Sequence, residues 1–376
     1  MPRMQAPGAP SLSARPSIRP HTAIAQRISR AIVEAGGWLP FDRVMALALY
    51  EPGLGYYARG SRQFGALPSS GSDFVTAPEL SPLFGRTLAR QVAQALDAAA
   101  ADTVFEFGAG SGALAEQLLI ALGERVRCYA IVDVSGALRQ RQAVRLAPFG
   151  ERVQWLDAWP DTLHGVVVGN EVLDAMPVQL LHFDGGAWHE RGVVAQDGAF
   201  AWADRPTALR PPVDGPFVPG TVTEIHPQAE AFVRSLAERL QRGAAFFIDY
   251  GFPEAEYYHP QRTGGTLMCH RAHLADTDPL TDVGDKDITA HVNFTGIALA
   301  AQDAGMDVLG YTSQARFLFN CGLVELLQQA DLRERAAAQK LINEHEMGEL
   351  FKVLALGRGV TLDLLGFAAG DRMHTL

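Results

Sequence analysis

The run Val104-Phe105-Glu106-Phe107-Gly108-Ala109-Gly110-Ser111-Gly112 holds the residues of this chain best suited to chemistry. A short apolar strand carries an acid and ends on glycines at every second position. It opens into Ala113-Leu114-Ala115-Glu116-Gln117-Leu118-Leu119, which reads as a helix. Glycine permits the tight turn, and its missing Cβ lets a ligand touch the main chain. The helix start adds unpaired N–H groups and the positive end of a dipole. Such a loop cradles a nucleotide-like ligand. A dinucleotide fold wants G-x-G-x-x-G. Here the spacing is E-x-G-x-G-x-G, which disfavours a nicotinamide oxidoreductase. A carboxylate inside the motif suits a cationic ligand and repels a pyrophosphate.

The surrounding elements must hold that loop in place. From Thr103 onward strands and helices alternate. Strands are expected at Thr103–Phe107, Arg127–Val132, Val153–Leu156, Gly165–Gly169 and Gly243–Ile248, with helices at Gly112–Leu122 and Gly136–Leu146. Short uninterrupted apolar strands between amphipathic helices imply a parallel sheet buried on both faces. Helices are also expected at Ile24–Ala35, Phe41–Leu49 and from Ser81-Pro82 to about Ala100. Gln179–Asp204 alternates apolar and polar residues across Asp184-Gly185-Gly186 and Gln196-Asp197-Gly198, which predicts an inserted antiparallel meander. Phe252–Asp287 is irregular. Beyond it, helices are expected at Ile288–Ala304, Phe317–Gln329 and Arg333–Glu349, and strands at Met306–Thr312 and Phe351–Leu356. The fold class is α/β: a Rossmann-like, mostly parallel sheet with a helical N-terminal addition and the inserted meander.

In an open α/β sheet, ligands sit beyond the carboxyl ends of the strands. This sequence places Glu106, Asp133, Asp157, Asn170, Glu171 and Asp249 there. The glycine loop resembles the cofactor loop of class I S-adenosylmethionine (SAM) methyltransferases, whose ligand carries a carboxylate, an ammonium and a sulfonium. Asp133 is placed to accept both ribose hydroxyls, or else caps the following helix. Asp157 approaches an adenine amino group or serves as a turn residue. Glu106 anchors the loop or faces the amino-acid end of the ligand. Asn170-Glu171-Val172-Leu173-Asp174 follows the fourth strand, where the transferable methyl lies in such enzymes. Methyl transfer needs alignment of acceptor and donor. Two carboxylates and an amide can hold a cationic acceptor, and a guanidinium fits best because it stays protonated and pairs bidentately. Asp174 could instead cap a helix broken at Pro177. Thr76, Glu79, Glu224, Asp249 and Tyr250 are placed on the substrate side. Cys269, His270, His273 and His291 invite a metal reading, but their spacing matches no zinc pattern and no metal is expected.

Several blocks together resemble the MidA-like family, which includes the mitochondrial complex I assembly-factor methyltransferases. They are Gly53-Leu54-Gly55-Tyr56-Tyr57, Asp73-Phe74-Val75-Thr76-Ala77-Pro78-Glu79-Leu80-Ser81 with Phe84-Gly85, and the glycine loop. They continue with Gly169-Asn170-Glu171-Val172-Leu173-Asp174-Ala175, Asp249-Tyr250-Gly251 and Met347-Gly348-Glu349-Leu350-Phe351-Lys352-Val353-Leu354. The resemblance implies a class I methyltransferase fold with SAM as cofactor and arginine on a protein as acceptor. Mitochondrial members dimethylate an arginine of a complex I subunit, so such a subunit is one expected partner. Carried over, Gly108, Gly110 and Gly112 bind SAM, Asp133 holds the ribose, and Asn170, Glu171 and Asp174 border the acceptor. The family often has Glu where this chain has Asp133. A small-molecule methyltransferase and a non-catalytic assembly protein that keeps the fold are the alternatives.

Composition bounds the rest. The chain has 376 residues, a formal net charge of −10 and three scattered cysteines, Cys128, Cys269 and Cys321. The charge argues against nonspecific nucleic-acid binding. No apolar run is long enough for a bilayer, and no disulfide framework is suggested. Lys286, Lys340 and Lys352 are the only lysines, so arginine dominates throughout, as in a GC-rich bacterial genome. A bacterial cytoplasmic protein is expected, with a homodimer as one option and Phe317–Leu327 read as core or interface. The organisation expected is a disordered tail (1–20), a helical addition with a cofactor or substrate lid (21–100), and a SAM-binding core (101–178 and 221–251). An inserted meander and loop (179–220), a substrate-side insertion (252–290) and a C-terminal completion of the core (291–376) complete it.

Overall fold

The computed structural model describes residues 22–59, 75–133 and 136–376. The expected tail (1–20), with Asp73 and Phe74, lies outside the described residues. Helix α1 (Ala23–Glu34) starts at Thr22, whose hydroxyl accepts from the Ala25 N–H, and buries Ile24, Ile28 and Ile32. The short strand β1 (Leu39–Pro40) leads into α2 (Phe41–Tyr50). The one-turn α3 (Ala77–Leu80) precedes α4 (Pro82–Ala99), which Ser81 caps and Pro82 opens.

The core then runs β2 (Thr103–Phe107), α5 (Ala113–Leu122), β3 (Cys128–Val132), α6 (Gly136–Leu146), β4 (Val153–Leu156) and β5 (Leu163–Asn170). After β5 the chain builds the expected meander as β6 (Gln179–Phe183), β7 (Trp188–Gln196) and β8 (Ala199–Pro206). It adds β9 (Val222–Ile225), which pairs with β6. It returns through α7 (Pro227–Arg239) to the long β10 (Leu240–Phe252). The helix α8 (Glu254–Tyr257) and three short strands, β11 (Met268–Arg271), β12 (Leu274–Asp276) and β13 (Asp287–Thr289), follow. Then come β14 (Val292–Asn293), α9 (Phe294–Asp303), β15 (Asp307–Ser313), α10 (Gln314–Asn320), α11 (Leu323–Gln329), α12 (Leu332–Ile342), α13 (Met347–Leu350) and β16 (Phe351–Arg358).

The main sheet has the order β15-β16-β10-β5-β2-β3-β4. β4, β3, β2, β5 and β10 are parallel, while β16 is antiparallel to both β10 and β15. Its two faces carry separate cores. Val104, Val166, Val168 and Phe246 pack against α4 and α5; Phe105, Val167, Ala245 and Phe247 pack against α7 and α9. A strand buried on both faces needs apolar residues at every position, which is why these strands read as unbroken runs. A third core joins α1 and α2 to the meander and the β11–β13 sheet, through Ile28, Phe41, Leu180, Val193 and Ile288. Because five strands are parallel, Phe107, Asp133, Asn170 and Asp249 all emerge at one edge.

Four expectations change. Ile288–Ala304 is not one helix: β13 and β14 occupy its first part, and α9 starts at Phe294, where the Asn293 side chain accepts from Gly296 N–H. Phe317–Gln329 is two helices, because Gly322 adopts a left-handed φ of 82° and ends the first. Its Phe317, Leu318, Leu323 and Leu326 belong to the core. Arg333–Glu349 breaks after Ile342. There Gly348 packs so tightly that a Cβ would stand 2.3 Å from the Ile342 carbonyl oxygen. The irregular Phe252–Asp287 segment holds a small antiparallel sheet, whose strands are too short for their alternation to show.

Candidate functional site

One cavity of about 1290 Å3 opens over the carboxyl edge of the sheet. Typical small-ligand pockets span roughly 300–1,000 Å3, so this one has room for two reactants. One end is built by the glycine loop. Gly108, Gly110 and Gly112 take positive φ of 64°, 53° and 81°, conformations that L side chains resist. A Cβ on Gly108 would stand 3.1 Å from the Val172 side chain. Gln142, fully buried on α6, donates to the Gly110 carbonyl (3.0 Å) and to the Asp133 carboxylate (2.9 Å). Trp155 in turn donates to Gln142. One amide thereby fixes the loop and the acid at the end of β3 together. Glu106 lines the same end and accepts from Tyr129 at 2.7 Å. Burial pushes its carboxyl up to about 8, against the opposing pull of that hydrogen bond.

The loop is latched from outside. Glu79 on α3 accepts from the Ser111 hydroxyl. Arg145 reaches both, 2.9 Å from Glu79 and 2.7 Å from the Ser111 hydroxyl. Gln117 donates to the Pro78 carbonyl (2.8 Å).

The other end is acidic. At the end of β5, Glu171 sits at φ 53°, a strained conformation for a residue with a side chain. Its N–H donates to the Ile248 carbonyl at 2.9 Å. The buried Asp249 carboxylate accepts the N–H groups of Val172 (3.1 Å), Leu173 (2.9 Å) and Asp174 (3.3 Å), which explains how the turn holds its shape. Asn170 donates to Glu171 (3.0 Å), and the Ala77 N–H bonds the same carboxylate. Burial, reinforced by the field of Asp174, pushes Glu171 up to about 8. Asp174 is raised to about 6 by burial, against the Tyr250 hydrogen bond. Asp249 lies well above the usual carboxylate range through burial and the charges of Asp174 and Glu171. Asp174 Oδ1 and Asn170 Oδ1 are buried and accept no hydrogen bond from the described residues.

The cavity wall brings together Thr76, Glu106, Gly108, Gly110, Asp133, Asn170, Glu171, Asp174 and Tyr250 of the sequence candidates. Five others stand outside it. Gly112 begins α5 behind the loop, with Gln142 3.5 Å from where its Cβ would be. Asp157 is 91% exposed and pairs with Arg139 at 2.6 Å; its neighbours Ala158 and Trp159 line the cavity instead. Glu79 works as the latch. Asp249 lies under the Glu171 turn. Glu224 is fully buried and accepts from Thr266 N–H (2.8 Å), Leu267 N–H (3.0 Å) and the Tyr257 hydroxyl (2.9 Å), tying the insertion to β9.

Sequence patterning missed part of the wall. Tyr50 and Tyr57 come from the N-terminal addition and Asp287 from β13. His270 and His291, which the sequence offered only as metal candidates, line the same space from the insertion and just beyond it. Trp159, Phe107 and Phe232 pack edge to face or tilted, with centroids 4.5–5.3 Å apart, and line the end of the cavity beside α7. Of the missed residues, Tyr57 carried a signal in advance, through the block that ends Tyr56-Tyr57, and His270 and His291 carried one that was read as metal ligation. Burial lowers His291 to about 4 and also lowers His270, so both rings are neutral near pH 7. Among the described residues no group of three or more His, Cys, Asp or Glu is arranged for a metal ion. No helix of the described residues is long and apolar enough to cross a membrane.

Residues 87–312 match a family described as S-adenosyl-L-methionine-dependent methyltransferases. A Burkholderia thailandensis protein, solved in crystal form with S-adenosylhomocysteine bound, is 54% identical to this chain. The match covers 94% of this chain and 96% of that one, with a TM-score of 0.91. Among curated relatives, the Drosophila melanogaster protein arginine methyltransferase NDUFAF7 homolog, mitochondrial, is 28% identical over 90% of this chain and 86% of its own length. The Danio rerio protein arginine methyltransferase NDUFAF7, mitochondrial, is 26% identical over 89% and 86%.

Proposed function

We propose that this chain, which belongs to the S-adenosyl-L-methionine-dependent methyltransferase family, methylates arginine side chains of a protein. One observation carries the reading: Glu171, Asp174 and Asp287 put three carboxylates in the wall of a cavity larger than a cofactor needs. The names of the curated relatives agree with it.

The residues present fit the cofactor. The glycine backbone stays open where a Cβ would crowd Val172, Asp133 is held for the ribose, and Glu106 faces a ligand bearing positive charge. When bound, SAM supplies an electrophilic methyl on a sulfonium. The protein's part is then alignment and proton handling. A guanidinium remains charged in water, and its arrival beside buried carboxylates favours their ionised forms. The fork of N–H donors is held in plane by paired carboxylate oxygens. Each methyl gained by a guanidinium nitrogen releases one N–H proton. Glu171, which burial holds protonated in the empty site, is ionised by the arriving guanidinium and then stands ready to take that proton. Neutral His270 and His291 add no repelling charge.

In this reading the glycine loop, β3 and β5 form the cofactor half, and the N-terminal addition with the 252–290 insertion forms the acceptor half. A subunit of respiratory complex I is one candidate acceptor, by analogy with the mitochondrial members of the family, and the bacterial cytoplasm is the proposed location. The test is transfer of labelled methyl from SAM into proteins of a lysate lacking this enzyme, followed by hydrolysis to amino acids. Label in methylarginine is the expected result; label only in lysine or in small molecules would overturn the reading.

A further inference from the structure

The block Thr76-Ala77-Pro78-Glu79 places three consecutive residues on three parts of the site. The Ala77 N–H donates to the Glu171 carboxylate. The Pro78 carbonyl accepts from Gln117 at 2.8 Å, on the helix that follows the glycine loop. The Glu79 carboxylate accepts from the Ser111 hydroxyl within the loop and pairs with Arg145 at 2.9 Å. Leu80 N–H donates to the Thr76 carbonyl (3.0 Å) and Ser81 N–H to the Ala77 carbonyl (3.2 Å), which closes α3 into one turn. Ala77 and Glu79 are therefore held together. Gln117 also accepts the Gly85 N–H at 3.0 Å, so one side chain of α5 grips both the turn and α4.

The start of this turn is capped from elsewhere. A threonine before a helix ordinarily accepts from an N–H of the first turn with its own hydroxyl. Thr76 makes no such bond and lines the cavity instead. A buried N–H needs a partner, and Ala77 is fully buried. Its partner is Glu171, an acid of a distant segment. The contact serves the acid as well. Glu171 sits on a strained turn, and burial together with the charges of Asp174 and Asp287 opposes its ionised form. Asp249, beneath the turn, adds a further carboxylate. The Asn170 amide and the Ala77 N–H favour ionisation. Asn170 belongs to the same turn, so Ala77 is the donor that a separate element brings.

We propose that Glu79 is a positioning residue for methyl transfer: gripped by Ser111 and Arg145 on the cofactor side, it holds α3 where the Ala77 N–H orients the Glu171 carboxylate toward the acceptor. This rests on the reading of Glu171 as the acceptor-side acid. The latch thereby ties the glycine loop to that acid through a single helical turn. Alignment of donor and acceptor governs the rate of a direct displacement. Loosening the turn lowers the rate without removing either binding surface.

The test uses the full chain with Glu79→Ala, Glu79→Gln and Ser111→Ala, and with Glu79→Ala combined with Glu171→Gln. Initial rates of labelled methyl transfer from SAM into lysate proteins are measured across pH at saturating SAM, beside titration with S-adenosylhomocysteine. Expected for Glu79→Ala is a fall of about tenfold or more in rate, with a smaller loss of S-adenosylhomocysteine affinity. Without the Ala77 donor Glu171 ionises at higher pH, so the rising limb of the rate moves to higher pH. Glu79→Gln keeps an oxygen for Ser111 and restores part of the rate. Ser111→Ala leaves Arg145 on Glu79 and moves both readouts less; it carries the test should Glu79→Ala not fold. In the Glu171→Gln background, Glu79→Ala lowers the rate little further, because the two act through one group. An unmoved pH profile in Glu79→Ala, a rate loss no larger than its loss of S-adenosylhomocysteine affinity, or full additivity with Glu171→Gln would overturn the proposal. A wild-type rate in Glu171→Gln alone would defeat the reading of Glu171 on which the proposal rests.

Discussion

The two ends of the cavity are built by opposite means. The cofactor end is local: β2, its glycine loop and α5 are contiguous, and Gln142 pins the loop to Asp133 from the next helix but one. The proposed acceptor end is assembled from afar, from the Glu171 turn after β5, Tyr50 and Tyr57 near the start, and Asp287 in a late insertion, which all line the one cavity. Backbone geometry shapes the first; buried carboxylates shape the second. A backbone cradle serves any chain that must hold the same cofactor. A side-chain site drawn from separate insertions can change its acceptor without disturbing that cradle.

The sharpest way to break the comparison is Gly110→Val. At φ 53° a β-branched side chain is strained and distorts the cradle's backbone. Saturable binding of S-adenosylhomocysteine should disappear, and transfer with it, as read by calorimetry. Glu171→Gln should separate the halves. Transfer is expected to fall by about 10²–10³-fold, the scale of losing one group that stabilises transition-state charge, with S-adenosylhomocysteine affinity unchanged.

The pH dependence sharpens the contrast. Glu171 and Asp174 hold protons more tightly folded, at about 8 and about 6, than at their ordinary 4.5 and 3.8. Between the ordinary and raised values the native state binds more protons. Stability of the free protein should therefore fall as pH rises through that window. Transfer should rise over the same range, as the carboxylates ionise for a cationic acceptor. Urea melts and initial rates from about pH 5 to 9, a span chosen to bracket both groups, check the two slopes. Glu171→Gln should flatten the stability slope. The smallest effect belongs to the latch: Arg145→Ala should cost about 1 kcal/mol or less, because the pair is partly exposed. It should weaken S-adenosylhomocysteine binding modestly, read by the same titration.

The contrast also explains what the sequence disclosed. The glycine loop, Asp133 and the Asn170–Asp174 turn stood out because each is short, contiguous and placed by a strand that an unbroken apolar run made visible. Asp287 did not, since Gly284-Asp285-Lys286-Asp287 reads like any solvated loop. The pairing of β13 with β11 carries it into the cavity wall, where it is 3% exposed. Asp157 shows the converse: it stands at a strand end, yet its carboxylate pairs with Arg139, is 91% exposed and lies outside the cavity wall. Glu224 and Asp249 are acids of the right type that hold backbone N–H groups instead of facing the cavity. Burial alone does not distinguish a structural acid from one facing ligand; the direction of its hydrogen bonds does. The broken helices at Gly322 and after Ile342 were hidden because a left-handed glycine ends the first and close packing at Gly348 the second, neither of which periodicity shows.

The most direct test of the division between the halves is a paired measurement on Glu171→Gln: titration with S-adenosylhomocysteine beside labelled methyl transfer into arginine. We expect wild-type affinity with transfer lost. Weakened S-adenosylhomocysteine binding, with transfer falling only in proportion, would assign Glu171 to the cofactor half and contradict that division.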